Sequence, residues 1–195
     1  MYVLRRIFVW CQGKQLRDLC QRLVLNVEKW QTAIGQLNNL AATADSRNTV
    51  SVSRKDARTF ANGGWLEFYT NSQLNSLKSE GVIQDSAHLN LQIQRSGSTI
   101  RNEVDVCFMA KNRLHIIECK TKRMTGRGTD QMAADTVYKL DSISELGGLG
   151  TKSMLVSDRP LRDADLKRAK DLRIKVLDAQ KLQTLKSELK EWIRS

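Results

Sequence analysis

The chain has 195 residues, 41% hydrophobic and 27% charged, enough to bury a core and too balanced for wholesale disorder. Its 32 Lys and Arg against 21 Asp and Glu leave a formal charge of +11. That excess points to a polyanionic partner, because basic groups gain affinity by releasing counterions from phosphates; solvated helix faces are the alternative source. No apolar run approaches a membrane span or the core of a signal peptide, so no membrane role is expected. Cys11, Cys20, Cys107 and Cys119 form no CxxC pair, which fits free thiols in a reducing, cytoplasmic setting.

Residues 1–12 read as a short strand or an irregular lead-in. From 14 to 42, Leu16, Leu19, Leu23, Val27, Trp30, Ile34 and Leu37 recur at three- and four-residue steps, a helical period. Such a stripe is buried either on the body of the protein or on a partner chain. The polar stretch 43–50 is the expected boundary, so that 1–50 forms a helical lead-in, linker or dimerisation segment and 51–195 the functional domain. Residues 56–79 read as a helix entered or interrupted at Asn62-Gly63-Gly64, with Trp65, Phe68, Tyr69, Leu74 and Leu77 as its buried side. Leu89, Leu91 and Ile93 then alternate with polar residues as a strand does.

The most informative stretch is 102–121. Val104, Val106 and Phe108 alternate with Glu103, Asp105 and Cys107, and Leu114 to Cys119 is a second, more continuously apolar run. Lys111-Asn112 lies between them, and Asn tolerates the left-handed conformation of tight hairpin turns. Folding the chain there sets Ala110 opposite Arg113 and, by continuation, Asp105 opposite Glu118 and Glu103 opposite Lys120. Opposed residues of an antiparallel pair lie roughly 4.5–5.5 Å apart at Cβ, so two carboxylates converge where one cation could bridge them. Buried like charges need such a cation or a raised pKa. Hard oxygen donors select Mg²⁺ or Mn²⁺, and the backbone carbonyl of Cys119 could add another ligand. Lys120 is placed to orient or deprotonate a water, or to stabilise charge growing on a phosphate.

After the hairpin, the basic, glycine-containing segment 120–131, with Lys122, Arg123 and Arg127, is either a phosphate-backbone contact or an ordinary solvated loop. A helix over 132–146 follows, with Ala133, Val137, Leu140 and Ile143 as its apolar line and Gly147-Gly148 as its stop. Tyr138 on it is either a substrate contact or a core-edge aromatic. Strand 154–157, helix 161–172, strand 174–177 and an amphipathic helix over 179–193 complete an α/β pattern with parallel pairing at that edge. His88 and His115 do not make a zinc site, and by strand parity His115 points away from Asp105 and Glu118. No phosphate-binding GxxxxGK[ST] loop and no nucleophile elbow occur.

Asp105, twelve residues, then Glu118-Cys119-Lys120 resembles the PD-(D/E)xK nuclease superfamily, the restriction-endonuclease-like fold. With GGWLE at Gly63–Glu67, YKL at Tyr138–Leu140 and GGLGTKSMLVS at Gly147–Ser157, the chain is similar to the nuclease half of the CRISPR ancillary effectors that couple a CARF sensor to a nuclease. The resemblance implies a mixed β-sheet with a central antiparallel hairpin flanked by helices, and a divalent-metal-dependent endonuclease of low sequence specificity acting on DNA or RNA in antiviral defence. It implies that Glu67, otherwise read as a surface glutamate, joins Asp105 and Glu118 at the metal, and that Tyr138 and Lys139 touch the substrate. It also allows a homodimer. Nothing in these residues has the βαβ pattern of the sensor, so cyclic oligoadenylate is not expected to bind this chain itself. The alternative is a nuclease-like module that binds nucleic acid or assembles without cutting.

Overall fold

The computed structural model describes residues 43–44, 50–51, 63–94, 97, 99, 101–121 and 130–195. The lead-in helix expected over 14–42, most of the boundary stretch and the basic segment carrying Lys122, Arg123 and Arg127 lie outside them. By internal contacts the chain divides into Met1–Trp65 and Leu66–Ser195. In the first unit, β1 (Thr43–Ala44) pairs antiparallel with β2 (Val50–Ser51).

The second unit is built on a five-stranded sheet. Helix α1 (Trp65–Ser79) leads to β3 (His88–Gln94), β4 (Arg101–Ala110) and β5 (Arg113–Lys120). Then come α2 (Asp130–Leu146), β6 (Lys152–Ser157), α3 (Asp163–Asp171) and β7 (Ile174–Leu177). A short 3₁₀ turn at Leu182–Thr184 precedes α4 (Leu185–Arg194). The sheet order is β3-β4-β5-β6-β7, antiparallel as far as β5 and parallel beyond it. This is the expected mixed sheet around a central hairpin. The switch to parallel pairing follows from the chain: β4 and β5 are joined by two residues, whereas β5 to β6 and β6 to β7 are joined through helices.

Lys111 and Asn112 have φ of 50° and 56°, the pair of left-handed residues that a two-residue hairpin turn needs to match strand twist. The expected register holds for five pairs, from Ala110↔Arg113 to Val106↔Ile117.

Each face of the sheet is covered. On one, Cys107, Ile116 and Leu155 pack with Ala133, Val137, Leu140 and Ile143 of α2 and Ala169 of α3. The 3.6-residue line of α2 is thus its buried stripe. At its end Gly147 allows a close approach: a methyl group there would run into Thr151 and Leu114. On the other face Phe108 stacks on His115 at 4.8 Å between centroids, and Trp192 of α4 meets His115 edge-on at 5.0 Å. Helix α1 reaches this face through Thr70 Oγ1, 3.7 Å from Cys119 Sγ. The buried residues of α1 are Leu66, Tyr69, Thr70, Leu74 and Leu77, whereas Phe68, expected inside, is 48% exposed. The stripe through 66, 70, 74 and 77 leaves position 68 on the opposite side of the helix. In place of one helix over 179–193 the chain makes the 3₁₀ turn first, and α4 buries Leu185, Leu189, Trp192 and Ile193.

Candidate active site at a fork in the sheet

The hairpin ladder does not run to its end. Pairing of β4 with β5 stops at Val106↔Ile117, while β5 stays registered with β6 as far as Lys120↔Ser157. On the other side of β4 the register passes from Leu89↔Val106 to Leu91↔Val104 and skips Asn90, whose φ is 55°. Asp105 therefore sits where regular pairing fails on both flanks. A left-handed non-glycine residue inside a strand costs energy, and Asn bears it more easily than most. Into the fork Asp105 extends its carboxylate: Cys119 N–H donates to Asp105 Oδ2 at 2.7 Å, in place of a backbone carbonyl. A side chain has replaced a rung of the ladder.

Glu118 lies in the same fork, 1% exposed, and Asp105 is 8% exposed. Two buried carboxylates facing one another resist ionising together. Burial first, and then the Glu118 charge, push Asp105 up to about 6, against the Cys119 N–H bond and the charges of Lys120 and Lys139. Glu67 of α1 is pushed up to about 7, by burial first and then by Asp105 and Glu103. The helix thus brings a third carboxylate within electrostatic reach of the strand pair.

Two lysines answer this negative charge. Lys120 Nζ is 2.5 Å and Lys139 Nζ 3.1 Å from the same oxygen, Glu118 Oε1. Lys139 also donates to the Glu103 carbonyl at 3.3 Å. Burial alone would lower Lys120, but the Glu118 charge, its hydrogen bond and the Asp105 charge outweigh it and hold the ammonium above its ordinary value. Lys120 is therefore a cation at neutral pH. Of the two roles read from the sequence, this favours orienting and neutralising over abstracting a proton.

The structure thus gathers Asp105, Glu118, Lys120 and Lys139, with Glu67 coupled to them by charge. Continued opposition beyond Ile117 is not seen. Lys120 pairs with Glu118, and the Glu103 carboxylate takes the side-chain amide of Gln92. Cys119 contributes its N–H; its thiol is buried and held well above the ordinary range by burial. Tyr138, beside Lys139 on α2, is 52% exposed, and the Arg168 guanidinium lies 5.5 Å from its ring centroid. His115 is on the far face, as parity required.

Among the described residues, no group of three or more His, Cys, Asp and Glu side chains closes around one point as a finished metal cage would. The donors nevertheless fit a hard divalent cation in kind: they are carboxylate oxygens, buried, and mutually repulsive until neutralised.

Sequence reading missed two features. Asn90 gave no signal, since a left-handed residue in mid-strand is set by what lies opposite it. Asp158 follows β6 at the same end of the sheet and donates its N–H to the Lys120 carbonyl at 3.1 Å. Burial pushes its carboxyl up to about 6 despite Arg159 beside it. An acid directly after an apolar strand was the available clue.

Residues 54–195 match the family described as Card1-like, endonuclease domain. The crystal structure of protein VC1899 from Vibrio cholerae superposes with a TM-score of 0.69 at 35% identity, covering 99% of this chain and 50% of that one. The structure of Can2 from Sulfobacillus thermosulfidooxidans, in complex with cyclic tetra-adenylate, gives 0.68 at 29% identity, covering 99% and 51%. The chain therefore spans about half the length of these solved structures. No curated protein matches it.

Proposed function

We propose, from the premise that this chain belongs to the Card1-like endonuclease domain family, that it is a PD-(D/E)xK enzyme hydrolysing phosphodiester bonds of DNA or RNA with low sequence specificity in CRISPR-type defence. The observation that carries this reading is the fork. Asp105 interrupts the pairing on both sides of β4, and buried carboxylates meet two ammonium groups there. A purely structural sheet gains nothing from such an arrangement, because unmade rungs and opposed buried acids both cost stability.

Glu67, Asp105 and Glu118, with the Cys119 carbonyl, would hold Mg²⁺ or Mn²⁺, which supplies Lewis-acid polarisation of the phosphate and acidifies water. The chain's own residues do the rest. The Cys119 N–H fixes the rotamer of Asp105. Lys139 holds Glu118 from the helix side, which leaves Lys120 able to turn its ammonium towards a non-bridging phosphate oxygen as negative charge grows there. Lys122, Arg123 and Arg127, two to seven positions beyond Lys120 in sequence, would take backbone phosphates without reading bases, and Tyr138 would lie along the same path. The cyclic tetra-adenylate named with Can2 is assigned to no residue of this chain. A homodimer would offer two forks to two strands.

The test is cleavage of labelled single-stranded RNA, single-stranded DNA and supercoiled plasmid in Mg²⁺, Mn²⁺ or EDTA, with wild type and Asp105→Ala side by side. Metal-dependent cutting that Asp105→Ala abolishes is the expected result and identifies the substrate. Folded wild type that binds nucleic acid but cuts none of the three with either metal would overturn the enzymatic reading in favour of a binding module.

A further inference from the structure

The fork lies where the parallel strands β5 and β6 end. Where β5, β6 and β7 begin, at the opposite end of the sheet, there is a hollow of about 700 Å³. Among the described residues its charged side chains are all cationic: Arg113, Lys152, Lys170, Arg173 and Lys175. Two of these are engaged. Lys152 donates to the Trp192 carbonyl and to Ser195 Oγ, each at 3.0 Å, and Lys175 is 2.7 Å from Glu188. Arg113, Lys170 and Arg173 are exposed and have no carboxylate at ion-pair distance among the described residues. The cations act on one another. Burial first, then Arg113 and Lys111, hold the Lys152 ammonium below its ordinary value. Arg173 itself has φ of 57°, a left-handed conformation that a non-glycine residue adopts only at a cost. A guanidinium is thus kept on the rim where glycine would be the cheaper residue.

Like charges that outnumber the acids around one concavity are stable mainly when an anion neutralises them. The hollow is also far from the carboxylates: the seven steps of β5 from Arg113 to Lys120 span about 23 Å at roughly 3.3 Å each. An anion serving both ends must be a polymer. We infer that this basic hollow is a second phosphate-binding site that holds the backbone of the nucleic-acid substrate remote from the scissile bond. The inference rests on the proposed nuclease reading and extends it: substrate length is sensed at the start of β5, and chemistry is done at its end. Phosphate contacts of this kind position a chain without reading its bases, in keeping with low sequence specificity.

The test compares wild type with Arg113→Gln/Lys170→Gln/Arg173→Gln, or with Lys170→Gln/Arg173→Gln should the triple variant not fold. Binding of a labelled 30-nucleotide single strand and of a tetranucleotide is measured by anisotropy in EDTA over a range of salt. A stacked tetranucleotide, at roughly 3.4 Å per step, covers only about 10 Å. The 30-mer should bind the triple variant about tenfold more weakly, with the slope of log K against log salt reduced by about 2, since each neutralised phosphate of a single strand contributes about 0.7. The tetranucleotide should bind both proteins alike.

An unchanged 30-mer affinity and slope would overturn the inference and leave the hollow to an acidic protein partner. Equal losses for both lengths would overturn it in favour of a general field. Inorganic phosphate at matched ionic strength should not displace the 30-mer; displacement would assign the hollow to a free anion. Because binding is read without metal, wild type that binds in this length-dependent way but never cuts would sink the nuclease reading alone.

Discussion

The two ends of the β4–β5 hairpin are made from the same two strands and do opposite things. At the turn end, five pairs stand in register, the turn residues take the left-handed pair of conformations that strand twist requires, and Phe108, His115 and Trp192 pack ring against ring. At the other end the ladder stops, a carboxylate takes the place of a carbonyl, and buried acids are held together by lysines. The difference teaches where each kind of energy is used. Regular pairing satisfies every backbone group and leaves nothing over for chemistry. A broken pairing frees an N–H to fix an acidic side chain, and the intact end must stabilise the hairpin meanwhile.

Substitutions should separate the two ends. The largest effect belongs to the fork: Lys120→Ala should lower the cleavage rate about 10³-fold while leaving the melting temperature close to wild type. Rates from labelled substrate and a thermal melt on the same preparation check this. A variant that unfolded instead would show the fork to be structural.

The turn end should show itself as pH-dependent stability. His115 is wholly buried, and burial first, with the Lys152 and Arg113 charges, holds it down to about 4, even though its Nδ1–H donates to the Arg113 carbonyl at 3.0 Å. In the unfolded chain it titrates near 6.5. The unfolded state then binds the extra proton between the two values, so this contribution is fully present above about 6.5 and is lost as the pH falls towards 4. The loss is on the order of 3 kcal/mol at its limit. His115→Phe, which keeps the ring packing, should flatten the denaturation midpoint over that range; a midpoint that still falls as steeply would place the acid sensitivity elsewhere.

A smaller effect is expected from Lys139→Gln. This residue donates to Glu118 at 3.1 Å and would act on the reaction through it, so about a tenfold loss of rate is expected, well short of that for Lys120→Ala. Equal losses would make Lys139 a direct substrate contact. Smallest is Asp105→Asn in EDTA. The amide oxygen can still accept the Cys119 N–H, and removing one of the opposed charges should stabilise the fold by about 1 kcal/mol, or roughly 2–4 °C, as activity is lost. A lower melting temperature would mean that the charge itself holds β4 to β5.

Much of the second unit was legible in the sequence because its signals are local. The line Ala133, Val137, Leu140 and Ile143 has the helical period, Lys111-Asn112 has turn chemistry, and Asp105 and Glu118 are acids in apolar strands. Phe68 was misread because apolar character does not say which side of a helix turns inward; the neighbours of Leu66 and Thr70 decide that. Lys139 was read as a phosphate contact, and its bond to Glu118 depends on how closely α2 packs over β5.

The sequence by itself determined the elements of the sheet, the turn, and the kinds of side chain that meet near residue 118. Only the tertiary structure decided that the ladder breaks at Asp105, that Lys120 stays protonated beside Glu118, and that five cations from β5, β6, α3 and the start of β7 surround one hollow. Periodicity and turn chemistry act between near neighbours in the chain. A fork, a raised pKa and a pool of like charge arise only when strands and helices distant in sequence share the same small volume.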